Sequence, residues 1–279
     1  MIKKEGTFKN TAGIDIYYRG WLPEGQEKAV LLVVHGLGEH CGRYTNLVNY
    51  FVPRGYAVCG LDHQGHGRSG GKREMVESFY DFIRTLSIYH EMVTDWHRDK
   101  PLFLLGHSMG GLIATYYLLE HQSAFKGAIM SAPLMKVSGN ISRLTIIMGK
   151  ILSKLAPGAG VMKIDPSGIS RDREVVLNYT SDPLVFLGKT PARLAAELLR
   201  IMLHVEQAAD QITLPLIIAQ GGADSLVDPQ GAQMLYDKAG SKDKTLKIYP
   251  EFYHEIFNEP EKDLVFADIE IWLERLLNT

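Results

Sequence analysis

Gly106-His107-Ser108-Met109-Gly110 sets a serine between glycines two residues away on each side. That spacing suits a strained strand-to-helix turn, in which the serine backbone occupies a sparsely allowed region and its hydroxyl stands exposed as a nucleophile. Glycine on both flanks removes the Cβ atoms that would collide with such a turn. Residues 101–106 form a short apolar, strand-like run and residues 111–119 read as a buried helix, the context the motif requires. The pattern also arises by chance in a chain with 27 glycines, so partners elsewhere must support it. Serine chemistry of this type needs an acid after the nucleophile and a histidine after the acid. The run 214–220 leads into Asp224 and Asp228, and the run 244–249 leads into His254. Asp228 directly precedes Pro229, where its carboxylate can cap a helix that starts with proline. Asp224 lies nearer the strand end and is favoured as the acid, so Ser108, Asp224 and His254 form the predicted triad.

The early run 30–34 continues into His35-Gly36-Leu37-Gly38-Glu39-His40, a buried-strand pattern ending in a glycine-bearing loop. Such a loop supplies one backbone donor to an oxyanion hole, here Leu37, and the residue after the nucleophile, Met109, supplies the other. Loss of one such donor costs on the order of 3 kcal/mol of transition-state stabilisation. The alternative is that these glycines serve only a tight turn.

The residues that carry these roles resemble those of the monoacylglycerol lipase group of α/β-hydrolases. The resemblance rests on His35-Gly-Leu-Gly-Glu-His40, Gly42-Arg43-Tyr44, Asp62-His-Gln-Gly-His-Gly-Arg-Ser69, Gly106-His-Ser-Met-Gly-Gly111, Tyr179-Thr-Ser-Asp-Pro183, Gln220-Gly-Gly-Ala-Asp224 and Tyr253-His254, and it spans nearly the whole chain. It implies an ester hydrolase in which Ser108, Asp224 and His254 act with the Leu37 and Met109 amides on a monoacylglycerol, through an acyl-enzyme. A lysophospholipase or a broad carboxylesterase with the same triad is the alternative, and a catalytically silent ligand-binding relative is a third reading. The resemblance also implies that Glu39, Arg43 and Tyr179 lie at the head-group end of the pocket, although Glu39 and Arg43 could equally pair with each other as a loop staple. This chain departs from the mammalian members at Phe257, where they carry a second histidine, and at Phe186 and Val227, where they place cysteines.

The elements that must position these groups follow from hydrophobic patterning. Strand-like runs at 6–9, 14–22, 29–35, 56–61, 102–106, 127–131, 216–220 and 244–249 predict about eight strands. The first two read as a hairpin through Asn10-Thr-Ala-Gly13. Helical patterns at 43–54, 79–97, 110–121, 229–239 and 261–277 alternate with the rest, the signature of a mostly parallel sheet covered on both faces. The predicted architecture is a single α/β domain over 1–279, an α/β-hydrolase fold, with a helical cap inserted at 132–210 between strands 6 and 7, a gap too long for one crossover helix. The first cap helix, near 141–155, carries more apolar residues than one core-facing stripe needs, so it either faces a pocket or lipid surface or is buried on its neighbours. An apolar lid favours long single-chain esters, because ten methylenes leaving water contribute up to about 8 kcal/mol against about 1 kcal/mol for a head-group hydrogen bond.

Composition narrows the remaining classes. A chain of 279 residues with 46% hydrophobic content can bury one sizeable core. Net charge is -2 and basic runs are absent, which argues against a nucleic-acid partner. Cys41 and Cys59 are the only cysteines and lack metal or redox spacing, so no disulfide is implied. No secretory-type leader and no apolar run of about 18 residues is present, and the expectation is a cytoplasmic protein, with peripheral membrane contact through the cap left open. Gly65-His-Gly67-Arg-Ser-Gly70 matches a dinucleotide fingerprint but lacks the strand-to-helix context. Gly188-Lys-Thr190 lacks the earlier glycine of a phosphate loop, and neither His90-Glu91 nor His254-Glu255 leads to a second zinc-binding histidine. No cofactor and no metal is expected, and oligomeric state is not legible.

Overall fold

The computed structural model describes residues 1–137, 149 and 151–279. In chain order it contains β1 (Ile2–Lys9), β2 (Asp15–Leu22), β3 (Ala29–Val34), α1 (Thr45–Phe51), β4 (Tyr56–Leu61), α2 (Tyr80–Trp96), β5 (Leu102–His107), α3 (Met109–His121) and β6 (Gly127–Ser131). There follow β7 (Gly160–Met162), α4 (Arg173–Ser181), β8 (Thr190–Pro191), α5 (Ala192–Ala208), β9 (Leu216–Gly221), α6 (Gln230–Lys238), β10 (Lys244–Tyr249) and α7 (Lys262–Leu277).

Eight strands form one sheet in the order β1-β2-β4-β3-β5-β6-β9-β10. The β1–β2 and β2–β4 pairs are antiparallel and every later pair is parallel. The predicted hairpin turn is present: Asn10 Oδ1 accepts from the Ala12 and Ile14 amides, both at 3.0 Å. β3, β4, β5, β6 and β9 are buried along their whole length, which explains why they read as unbroken apolar runs rather than alternating ones.

The two-residue strand period divides these apolar runs between two cores. Val30, Leu32, Leu104, Met130 and Ile218 pack with α2, α3, α5 and α6 on one face. Leu31, Val33, Phe103, Ile129 and Ile217 pack with α1 and α7 on the other, where Val265, Phe266, Ile269, Trp272 and Leu273 supply the stripe expected of the last helix. This two-faced cover holds the C-terminal ends of β3, β5, β9 and β10 at one edge of the sheet, where the loops of a parallel sheet converge on a ligand.

Some elements differ from the sequence expectation. The helical pattern at 43–54 is three short pieces, α1 flanked by 3-10 turns at Cys41–Arg43 and Val52–Arg54, and it ends at Gly55 with φ 92°. The helix expected from Pro229 starts one residue later, with Pro229 as its cap. Between β6 and β9 lie the small antiparallel β7–β8 ladder and α4, neither legible in the sequence. The Asp172 side chain accepts from the Glu174 amide and so starts α4. α5 directs Leu194, Leu198, Ile201, Met202 and Val205 into the same core as the sheet. The apolar helix expected near 141–155 lies largely outside the described residues; its last turn, 151–155, is helical and leaves Ile151 and Leu155 53% and 81% exposed.

Candidate active site

Ser108 stands between the end of β5 and the start of α3 with φ 53° and ψ -120°, a conformation that ordinary L-residues rarely adopt. The flanking glycines are sterically required. A Cβ on Gly106 would meet Gly110 O at 2.5 Å, and one on Gly110 would lie 2.0 Å from Val34 O. The turn is pinned by Ser108 N donating to Ser131 O at 3.0 Å and by Leu134 N donating to Ser108 O at 2.9 Å. The half-buried Ser108 side chain faces a cavity of about 1250 Å³.

His254, in the loop after β10, lines the same cavity. Its Nδ1 donates to Asp224 Oδ2 at 2.7 Å. Asp224 is fixed from every side: Gln220 Nε2 donates to Oδ2 at 2.9 Å, and the Leu226 and Val227 amides donate to Oδ1 at 2.9 and 3.0 Å. Burial opposes its charge, but the His254 ring and the two amides outweigh burial and hold the carboxyl below the usual aspartate range. For His254, burial pulls the pKa down while Asp224, then Glu255 and Glu39, overcome it and raise it. Among the described residues Ser108 Oγ makes no hydrogen bond to the imidazole; the two groups share one cavity wall, a looseness common before substrate binds.

Asp228, the competing acid, is elsewhere. Its Oδ1 accepts from Gln230 N at 2.9 Å at the start of α6, and its Oδ2 is 2.8 Å from Lys136 Nζ. It closes the turn that enters α6, and Asp224 alone of the two meets His254.

The Gly36–Gly38 loop abuts the serine. A Cβ on Gly36 would fall 3.2 Å from Ser108 Cβ. Neither the Leu37 nor the Met109 N–H has a protein acceptor among the described residues. The peptide that carries the Leu37 N–H is oriented by His35, whose Nδ1 donates to Gly36 O at 2.8 Å while its Nε2 accepts from His63 N at 2.8 Å. That pair of contacts fixes the neutral tautomer, and burial, with His63 and His66 nearby, keeps the His35 pKa well below the ordinary imidazole value. At the far end of the loop Phe186 N donates to Gly38 O at 2.9 Å, and His40 Nε2 donates to Asp182 Oδ2 at 2.9 Å.

The three residues expected at the head-group end are placed differently from one another. Glu39 and Tyr179 line the cavity, whereas Arg43 stands behind them. Arg43 Nη1 donates to Glu39 Oε2 at 3.2 Å and to Glu255 Oε1 at 2.5 Å, Nη2 donates to Glu255 Oε2 at 2.8 Å, and the guanidinium lies 4.6 Å from the Tyr179 ring centroid. The loop-staple alternative therefore describes Arg43. Gly36 N and Tyr44 OH donate to Glu39 Oε1 at 2.7 and 3.0 Å, so Glu39 also braces the Gly36–Gly38 loop.

Sequence reasoning missed Gln220, Glu255 and His107. Gln220 sits at the end of β9, four residues before its partner. His107 Nδ1 contacts Ser131 O and Oγ, both at 3.1 Å, and its ring lies 4.9 Å from that of His254. Burial and the neighbouring His254 push the His107 pKa down to about 3, leaving it neutral. Each stands close in sequence to a predicted triad residue, Glu255 beside His254, His107 beside Ser108 and Gln220 four residues before Asp224.

Most of the remaining cavity lining is apolar, with Arg200, His204 and Gln207 as polar exceptions, and Ile151, Leu155, Val161 and Met162 in that lining are exposed. No helix among the described residues is long and apolar enough to cross a membrane, and they hold no cluster of ligands suited to a metal ion.

A model of the serine aminopeptidase, S33 family matches residues 25–261. The chain is 36% identical over 271 residues to the monoacylglycerol lipase of Mycolicibacterium smegmatis, covering 97% of each chain. It is 36% identical over 269 residues to the human monoglyceride lipase, covering 95% of this chain and 89% of that one. Among solved structures it is similar to a soluble variant of the Saccharomyces cerevisiae monoglyceride lipase in complex with a substrate analog, with a TM-score of 0.86, 25% identity, and coverage of 99% and 96%.

Proposed function

Since this chain belongs to the serine aminopeptidase S33 family, in the monoacylglycerol lipase group of α/β-hydrolases, we propose that it hydrolyses monoacylglycerols to fatty acid and glycerol with Ser108 as the nucleophile. The protein is a carboxylic ester hydrolase. The observation that carries the site assignment is the 2.7 Å bond between His254 Nδ1 and Asp224 Oδ2 in the wall of the cavity that Ser108 enters.

In this reading His254 Nε2 takes the Ser108 proton as Oγ attacks the ester carbonyl, and Asp224 holds the tautomer and stabilises the imidazolium. The Leu37 and Met109 amides receive the oxyanion, the step that the His35-braced loop prepares. His254 then protonates the departing glycerol oxygen. Water, activated by the same imidazole, releases the fatty acid from Ser108.

The described residues between β6 and β9 act as a cap over this centre. The apolar cavity beneath it takes the acyl chain, whose burial contributes roughly 0.8 kcal/mol per methylene. The exposed apolar side chains in its lining, Ile151, Leu155, Val161 and Met162, rest on the lipid surface from which the substrate comes. Glu39 and Tyr179 face the glycerol. Replacement of Ser108 by alanine, assayed with a monoacylglycerol and with a fluorophosphonate probe, tests the reading: both turnover and labelling are expected to disappear while the fold remains.

A further inference from the structure

We infer that Glu74 is a positioning residue for ester cleavage: as an uncharged carboxylic acid it backs the Gly36–Gly38 loop, and its ionisation disables the oxyanion site at the Leu37 amide. This rests on the reading of Ser108 as the nucleophile and of Leu37 as an oxyanion donor. It extends that reading to a residue that is not among the described lining residues of the cavity.

The loop after β4 is folded so as to insert this side chain. Its glycines match a dinucleotide fingerprint in sequence, but the fold uses them otherwise. Gly65 N donates to Gly70 O at 2.8 Å, and Gly65 O accepts from Glu74 N at 3.2 Å. A Cβ on Gly65 would meet Lys72 O at 2.4 Å. Glu74 itself is held at φ 51°, where ordinary side chains are rare, and is 2% exposed.

Three segments converge on Gly38. A Cβ there would lie 3.3 Å from Glu74 Oε1, 3.3 Å from Phe186 O and 3.4 Å from Tyr179 OH. Glu74 therefore abuts the residue next to Leu37, and its hydrogen bond with Thr190 of β8 ties it to the cap.

No cation among the described residues neutralises this carboxyl. His40 is given to Asp182 at 2.9 Å, Arg43 to Glu39 and Glu255, and Arg73 Nη1 to Gly67 O at 3.0 Å. Lys72 Nζ lies toward Gly158, 3.4 Å from where a Cβ on that glycine would stand. His66 is neutral, since burial pulls its pKa to about 4, and burial also keeps Tyr179 protonated. Glu74 Oε2 has no partner among the described residues, and burial pushes the carboxyl pKa up to about 7 against the Thr190 hydroxyl. A charge at this point is poorly screened and stands beside the loop whose N–H must hold the developing oxyanion, so like-charge repulsion opposes the transition state.

The test is the profile, from pH 5 to pH 9, of initial rates on 1-octanoylglycerol below its micelle concentration, with each loss checked for reversal on return to pH 7. In the wild type kcat is expected to fall by about tenfold or more between pH 7 and pH 9 at nearly constant KM. In Glu74→Gln, whose amide stays uncharged, the rate at pH 9 is expected to remain within about twofold of the same variant's rate at pH 7. A wild type without this alkaline limb, a limb carried by KM, or a limb that persists in folded Glu74→Gln overturns the inference and leaves the hydrolase reading intact. Where Glu74→Gln is insoluble, Thr190→Val decides. Loss of the hydroxyl that lowers the Glu74 pKa should move the limb to higher pH, and an unmoved limb overturns the inference. Absence of turnover at every pH overturns the hydrolase reading and this inference with it.

Discussion

His254 Nδ1 lies 2.7 Å from Asp224 Oδ2, although the two residues come from loops after different strands. The β9–β10 parallel pair brings those loops together, with Gln220 opposite Ile248 and Gly221 opposite Tyr249 in register. Asp224→Asn keeps the shape and removes the charge that holds the tautomer. The expected outcome is a fall in kcat on the order of 10³- to 10⁴-fold with a small change in KM, read from steady-state kinetics at saturating substrate.

Gln220 is a positioning residue for that carboxylate, through the 2.9 Å bond from Nε2 to Asp224 Oδ2. Gln220→Leu removes the donor while two amides and His254 still hold Asp224. We expect kcat to drop about tenfold at nearly constant KM; an equal loss in KM would mean that the pocket, not the acid, had moved.

The pH dependence of kcat/KM follows from the sign of the His254 shift. Asp224, Glu255 and Glu39 raise its pKa against the opposing effect of burial, so the neutral base is reached only above the ordinary imidazole value of 6.5. The acid limb of the profile should lie above pH 6.5 in the wild type and move to lower pH in Glu255→Gln, because one of the groups that raise the pKa is neutralised. A limb that stays in place excludes Glu255 from the field at His254.

Glu74 gives a stability prediction of opposite sign to the usual carboxylate. Burial pushes its pKa up to about 7, against a hydrogen bond with Thr190, and its Oε2 has no partner among the described residues. The folded protein therefore binds more protons than the unfolded chain between the ordinary glutamate pKa of 4.5 and about 7, and stability falls as pH rises through that window. Glu74→Gln removes the penalty. Its Tm should exceed that of the wild type at pH 8, by the equivalent of about 2–3 kcal/mol, and the gain should vanish near pH 5.

Gly110→Ala should fail to fold, since its Cβ would stand 2.0 Å from Val34 O and 2.4 Å from His35 O, both backbone atoms with no room to move. We expect a loss of about 3 kcal/mol or more, or insoluble protein, by thermal melting and expression yield. A soluble, active Gly110→Ala would show that the turn can open.

Much of this protein was legible in the chain before any coordinates. The apolar runs of β3 to β6 and β9 could belong only to strands buried on both faces, and the interleaved helical stripes forced a parallel sheet. The strained turn at Ser108 was legible because it leaves a local mark in its neighbours, Gly106 and Gly110. The loops that carry His254 and Asp224 were legible from the apolar strands that precede them, and Pro229 marked Asp228 as part of the turn that enters α6. These are short-range properties, and sequence spacing records them.

What only the tertiary structure decided is pairing across distance. Arg43 and Glu255 are 212 residues apart, and nothing in the local composition of either tells that they form a two-point ion pair behind the cavity wall. The same holds for His35 and the His63 amide, and for Phe186 reaching the Gly38 carbonyl. β7, β8 and α4 were invisible for a related reason: they are short, their own propensities are weak, and the β7–β8 ladder pairs residues as far apart in sequence as Gly160 and Pro191. A sequence states what each residue can do. Which groups share a dielectric, and therefore which charge is spent on a neighbour and which is left facing the substrate, is set by the fold.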